Sequence, residues 1–271
     1  MSTASGKRSG RAILAALFAA STALAAAPWF AAGASAAVPT PTVSGPITGG
    51  LHGRPFTSAT FDLGAYGYVE EEYFLEGTAT TYGPAPGTTL GSNGLWSVVP
   101  TGSVPYKTRI LVRRPAEAKR FNGTVVVEWQ NVSGGFDIDA AWLKFYQEVV
   151  REGYAWVGVS AQRAGVHPPP LIPGLSQPLL VWDPLRYGTL SLPNDDASYD
   201  VFSQAGQAVG PDRPALPNDP LGGLVVVQTL AAGQSQSGSR MATYVNGVHL
   251  LAGVFDGFMV MSRSAGSARL A

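Results

Sequence analysis

Cysteine is absent from this chain of 271 residues, and both histidine and charged residues are scarce. Without cysteine the chain can form neither a disulfide framework nor a thiolate metal site. Its three histidines, His52, His167 and His249, are widely separated in the sequence, which disfavours a histidine-rich metal site. We therefore expect no metal and no cofactor. A formal net charge of zero also argues against a nucleic-acid partner.

The first 36 residues have the pattern of a signal peptide. A basic start that contains Lys7, Arg8 and Arg11 precedes an apolar run rich in alanine and leucine, and Ala34–Ala36 forms an A-x-A cleavage signal. The apolar run is shorter than the roughly 20 residues that span a bilayer. We therefore predict a signal peptide over 1–36, export to the extracellular space or cell envelope, and no stable membrane anchor.

Composition predicts one globular domain for the rest of the chain. Hydrophobic residues make up 45% of the sequence and charged residues 13%, which suits a single sizeable core. Residues 37–59 are rich in proline, glycine and threonine, so we predict an extended linker there. Residues 60–271 are predicted to form the domain.

Apolar periodicity predicts an α/β architecture. Two alternating strands, over 66–82 and 106–114, indicate an antiparallel start. From Thr124 onward strands alternate with helices, which predicts a parallel sheet with right-handed crossovers. Asp139 and Gly153 are placed to cap one helix at its two ends. The elements predicted after Thr124 are strands over 124–129, 154–160, a run from 224 and 254–261, and helices over 140–152, 199–209 and 236–251.

A long proline-rich excursion, residues 164–193, follows the strand that ends at Ser160. Excursions at the carboxyl end of a parallel sheet usually build the substrate pocket. Within it, Asp183 and Arg186 are spaced to form a local ion pair that holds the loop. Asp195 and Asp196 are adjacent carboxylates, and we interpret them as helix-start and turn residues rather than a cation site.

The stretch 224–246 has the order of a nucleophile elbow. An apolar β-branched run leads into the turn Gly233–Gly238, and helix-forming spacing follows. Such an elbow projects a serine above the sheet, and the residues two before and two after it must be small. Gly233 and Ser237 meet that requirement around Ser235. The Ser160 turn does not, because Gln162 is bulky and a proline-rich segment follows. The alternative is an ordinary serine in a strand-to-helix turn.

Several stretches together resemble the secreted bacterial α/β-hydrolase-domain proteins related to esterases. The resemblance implies a mostly parallel sheet with helices on both faces and antiparallel N-terminal strands. It also implies cleavage of a small-molecule carboxylic ester through an acyl-enzyme. The matching stretches are 127–135, 157–163, 183–187, 198–204, 233–237 and 256–258.

The same resemblance implies roles for two regions. Ser235 would be the nucleophile, and the backbone N–H of Gln236 would be one oxyanion donor. A second donor would come from the loop that follows the strand at 124–129. Its candidate residues are Asn131, Ser133, Gly134 and Gly135. The two glycines could equally mark a turn that requires positive φ.

The chain departs from the family pattern after the serine, where an acid and then a histidine are expected. The sequence after Ser235 contains one acid, Asp256, and one histidine, His249. His249 is fourteen residues along the elbow helix, ~21 Å away at the usual helical rise, whereas a general base must lie within about 3 Å. His167 precedes the serine and is a weaker alternative. The simplest expectation is that the acid, the histidine and the last strands lie beyond Ala271.

Two functions follow from these observations. One is an exported serine hydrolase for carboxylic esters that is inactive as the given fragment. The alternative is a non-catalytic exported protein or fragment that keeps the pocket and binds an apolar ligand. The sequence leaves the acyl group, the alcohol and the oligomeric state open.

Overall fold

The computed structural model describes residues 38–270. The predicted signal peptide and its cleavage site after Ala36 lie outside these residues. The described residues form a mixed seven-stranded sheet in the order β1-β2-β3-β5-β4-β6-β7. The strands are β1 (Thr42–Ser44), β2 (Tyr68–Pro84), β3 (Val98–Pro115), β4 (Thr124–Trp129), β5 (Ala155–Val159), β6 (Gln228–Gln234) and β7 (Gly257–Met261).

Strand direction alternates from β1 to β5 and is constant from β5 to β7. β1, β2 and β3 pair antiparallel, and β3 pairs antiparallel with β5. β5, β4, β6 and β7 are mutually parallel. The predicted fold class is therefore confirmed: antiparallel N-terminal strands lead into a parallel region, where helical connections join successive strands.

Helices cover both faces of the sheet. The helices are α1 (Ala140–Glu152), α2 (Arg163–Val166), α3 (Leu179–Trp182), α4 (Pro184–Tyr187), α5 (Ser198–Val209), α6 (Gln236–Thr243) and α7 (His249–Ala252), with a π-helical turn at Tyr244–Val248. Helix α1 packs in the smaller apolar cluster with Trp156, and α5 packs in the larger one with Trp129. All five residues of β5 are buried, as expected for a strand that is covered on both faces.

The start of helix α1 corrects one prediction. Asp139 stands at the N-cap position, but its side chain makes no capping hydrogen bond and pairs instead with Arg113. The carboxylate of Glu128 accepts the N–H groups of Ala141 and Trp142 at 2.7 and 3.0 Å. A residue of strand β4 therefore caps the helix. Gly153 does end the helix, with φ 76.

The segment predicted as a linker is partly built into the sheet. β1 lies within it and pairs with β2, and Val43 is buried. Further along, the carbonyls of Ile47 and Gly49 accept hydrogen bonds from Arg186. This arginine pairs with buried Glu72 rather than with Asp183, which corrects the predicted local ion pair. Asp183 instead accepts the Arg186 backbone N–H and begins α4.

Candidate active site

Ser235 occupies the sharp turn between β6 and α6. Strand β6 ends at Gln234 and helix α6 begins at Gln236, so one residue makes the whole turn. Ser235 has φ 56 and ψ −114, a backbone conformation that non-glycine residues rarely adopt and that costs about 1–3 kcal/mol. A strained serine between a parallel strand and a helix is the geometry of a nucleophile elbow.

Close backbone approach explains the small residues around the turn. A Cβ on Gly233 would lie 2.7 Å from the carbonyl oxygen of Ser237, and one on Gly238 would lie 2.9 Å from that of Met261. Ser237 is buried, and its hydroxyl accepts from the N–H of Gln234 and donates to its carbonyl, both at 3.0 Å. The serine in place of a second glycine therefore closes the turn.

The Ser235 hydroxyl has no hydrogen-bond partner among residues 38–270. Its backbone N–H donates to the Met261 carbonyl at 2.9 Å, which continues the β6–β7 pairing into the turn. The residue is half-buried, and within residues 38–270 no group forms a hydrogen bond with its Oγ. Ser160 differs, because it is fully buried and its hydroxyl donates to Asp137. Ser235 is thus the accessible serine of the two.

The loop after β4 is bound directly to the elbow. The side-chain amide of Asn131 donates to the carbonyl of Gln234 at 2.8 Å. The backbone N–H of Val132 donates to Oε1 of Gln236 at 3.3 Å. The predicted oxyanion loop and the residue after Ser235 therefore lie together. Val132 was not among the donors expected from the sequence.

Most N–H groups of this loop already have acceptors. Asn131 donates to Ile138 at 3.0 Å, Ser133 to the Asn131 side chain at 2.9 Å, and Gly135 to Val132 at 2.9 Å. The N–H of Gly134 has no acceptor within the described part of the chain. Gly135 has φ 70, so the positive-φ turn anticipated for the glycine pair is present. The N–H of Gln236 lies in the first turn of α6, where helix N–H groups lack intrahelical acceptors.

Within residues 38–270 none of the three histidines forms a hydrogen bond with Ser235. His52 stacks on Trp182 with ring centroids 4.1 Å apart. His167 uses Nε2 to accept the N–H of Leu192 at 2.8 Å, and burial, with nearby Arg163, lowers its pKa. His249 packs edge-on against a phenylalanine ring, and burial lowers its pKa too.

Asp256 and Asp195 form hydrogen bonds with residues other than Ser235. Asp256 accepts the N–H and hydroxyl of Thr229 at 2.8 and 3.3 Å, at the opposite end of β6 from Ser235. Asp195 accepts from the side chains of Gln162 and Arg240, each at 3.0 Å. Within the described residues, no cluster of histidines and carboxylates fits a metal ion. The helices of that same region include none long and apolar enough to cross a membrane.

The 164–193 excursion covers the predicted oxyanion loop. The hydroxyl of Ser176 donates to the Gly134 carbonyl at 2.6 Å and accepts the N–H of Ile172 at 2.8 Å. Beside this contact the excursion exposes the apolar side chains of Leu171, Ile172 and Leu175. An apolar surface therefore borders the loop that faces the elbow.

Several solved esterase structures are similar to this chain at low identity. Esterase Est22 has 14% identity and a TM-score of 0.35, with 71% of this chain and 43% of that chain covered. A glucuronoyl esterase from Solibacter usitatus has 10% identity and a TM-score of 0.39, with coverages of 85% and 54%. Acetyl xylan esterase 1 from Thermoanaerobacterium sp. has 9% identity and a TM-score of 0.35, with coverages of 82% and 53%. The chain thus spans about half the length of these proteins.

No curated protein is detectably similar in sequence to this chain. A family model described as an alpha/beta hydrolase domain matches residues 43–271. That match runs from within β1 through β7 and includes the elbow and the loop after β4. The chain belongs to the alpha/beta hydrolase domain family.

Proposed function

We propose that this protein is an exported serine hydrolase that cleaves carboxylic esters through an acyl-enzyme at Ser235. The observation that carries the proposal is the conformation of Ser235, with φ 56 and ψ −114 between β6 and α6. Strain of this kind persists where the surrounding structure enforces it, and it is typical of reactive sites. The free hydroxyl at this turn suits nucleophilic attack on a carbonyl carbon.

The proposed reaction has two halves. Ser235 Oγ bonds to the ester carbonyl carbon, its proton passes to a general base, and the carbonyl π pair moves onto oxygen. Collapse of this intermediate breaks the bond to the alcohol, which leaves with that proton. Water then attacks the acyl-serine by the same route and releases the acid.

Two backbone donors are proposed for the oxyanion. The first is the N–H of Gln236 at the start of α6, where the helix dipole also favours negative charge. The second belongs to the loop after β4. There the N–H of Gly134 has no acceptor within residues 38–270, whereas that of Val132 already donates to Oε1 of Gln236 at 3.3 Å.

The 164–193 excursion is proposed to contact the apolar part of the substrate. Leu171 and Leu175 are 59% and 71% exposed, and the adjacent Ser176 is hydrogen-bonded to the oxyanion loop. Apolar surface of this kind favours an ester with an aliphatic acyl or alcohol group, because its burial is worth about 25 cal/mol per Å².

Hydrolysis of p-nitrophenyl acetate and butyrate by the full-length protein tests the proposal. We expect Ser235→Ala to abolish turnover, whereas Ser203→Ala, a buried serine on α5, should retain it. Turnover that survives Ser235→Ala would contradict the assignment. A parent protein that binds these esters without cleaving them would favour the alternative, a non-catalytic protein for apolar ligands.

Export is a separate part of the proposal. It is supported by the basic start, the apolar run and the Ala34–Ala36 signal. N-terminal sequencing of secreted protein should begin at Ala37. A mature protein that retains residues 1–36 would contradict cleavage.

A further inference from the structure

Gln162 lies at the centre of a chain of hydrogen bonds that ends at the predicted oxyanion loop. It follows β5 and is 3% exposed. Its Oε1 accepts from the indole of Trp129 at 3.0 Å and from Nε2 of Gln236 at 2.8 Å. Its Nε2 donates to the Asp195 carboxylate at 3.0 Å. Sequence reasoning noted Gln162 only as a bulky residue.

The partners of Gln162 permit one orientation of its amide. The Asp195 carboxylate accepts from Arg240 at 3.0 Å and from the Arg163 N–H at 2.8 Å, so it presents only acceptor oxygens. The Trp129 indole can only donate. Gln162 must therefore turn its NH₂ group toward Asp195 and its oxygen toward Trp129.

The orientation of the Gln162 amide in turn fixes the orientation of the Gln236 side-chain amide. Because the Gln162 oxygen can only accept, Gln236 must present its NH₂ group to it. The other end of the Gln236 amide is then an oxygen, and this oxygen receives the Val132 N–H. A reversed Gln236 amide would set an NH₂ group against an N–H group and push the loop away from the elbow.

We propose that Gln162 is a positioning residue for the oxyanion site. It orients the Gln236 side chain, which holds the loop after β4 in register with the Gln236 backbone N–H. The two predicted sources of oxyanion donors are thereby connected through side chains that do not touch the substrate. This inference rests on the proposed function of Ser235.

The test compares two buried glutamines in the full-length protein. Gln162→Met removes the three hydrogen bonds of Gln162. Gln204→Met is the matched control, because Gln204 is also buried and makes three side-chain hydrogen bonds, to Tyr106, Thr78 and Asp200. We expect Gln162→Met to lower kcat roughly 10-fold to 100-fold with little change in KM, since small misplacements of catalytic groups have effects of this size. Gln204→Met should keep the parent kcat at a temperature where both variants are folded.

A double-mutant cycle with Gln236→Met separates positioning from general destabilisation. If Gln162 acts through Gln236, the double variant should be no slower than the slower single variant. If the fold-losses in kcat of the two single variants multiply in the double variant, the inference would be overturned. An unchanged kcat in Gln162→Met would also overturn it. Failure of the proposed function is distinguishable, because then the parent itself would show no turnover that Ser235→Ala removes.

Discussion

Replacing Gly233 with alanine should displace the nucleophile. The new Cβ would lie 2.7 Å from the Ser237 carbonyl oxygen, whereas ordinary contacts at such positions begin at 3.4 Å. The strand and helix must therefore separate by about 0.7 Å, because the three nearest atoms all belong to the backbone of Ser237 and Gly238 and cannot rotate away. Overpacking of this kind typically costs about 1–3 kcal/mol. A displacement near 1 Å at a reacting group can lower a rate by about 10²-fold.

The assay is the second-order rate of fluorophosphonate labelling, measured beside urea unfolding in the full-length protein. Gly233→Ala should label at least about 10-fold more slowly than the parent at a urea concentration where both remain folded. Gly266→Ala is the control, because no atom lies within 4 Å of its added Cβ. If Gly233→Ala labels at the parent rate and unfolds at the parent midpoint, the close strand–helix approach at the elbow is wrong.

Three further predictions concern stability and selectivity. Arg186→Met should lower the free energy of unfolding by about 1–3 kcal/mol, because buried Glu72 keeps Arg109 at 3.5 Å and the Tyr187 hydroxyl at 2.7 Å but loses its partner at 2.6 Å. The same change at Lys107, whose partner is 58% exposed, should lower it by about 1 kcal/mol or less in urea unfolding. Burial lowers the pKa of His249 from its ordinary 6.5, so the unfolded chain takes up the proton first and stability should fall as pH drops from 7 to 5.5; His249→Phe should flatten this slope in pH-dependent unfolding. Leu175→Ser should reduce the preference for p-nitrophenyl butyrate over acetate, whereas Leu185→Ser, equally exposed on α4, should leave the ratio unchanged.

Local sequence patterns predicted the parts of the fold that depend on neighbouring residues. The β-branched run at 124–129 became β4 with the predicted bounds. Gly153 ends α1 with positive φ, since the residue type itself allows that conformation. The turn at Ser235 was found for the same reason: small residues at fixed offsets permit it. The role of Ser235 as nucleophile stays a prediction.

Side-chain partners that are distant in sequence could not be predicted in this way. Arg186 was expected to pair three residues away, but it pairs with Glu72, 114 residues earlier. Helix α1 was expected to be capped by Asp139, whereas Glu128 does so from the preceding strand. Gln162 meets Gln236 across 74 residues. Periodicity and turn chemistry carry no information on which buried polar groups the fold brings together.

The site of covalent modification tests the central claim most directly. The full-length protein should be treated with a fluorophosphonate, digested, and analysed by mass spectrometry to locate the adduct. We predict a single adduct on Ser235 that is absent from Ser235→Ala. An adduct on Ser160 or Ser237, or labelling that persists in Ser235→Ala, would contradict the assignment of Ser235 as the nucleophile.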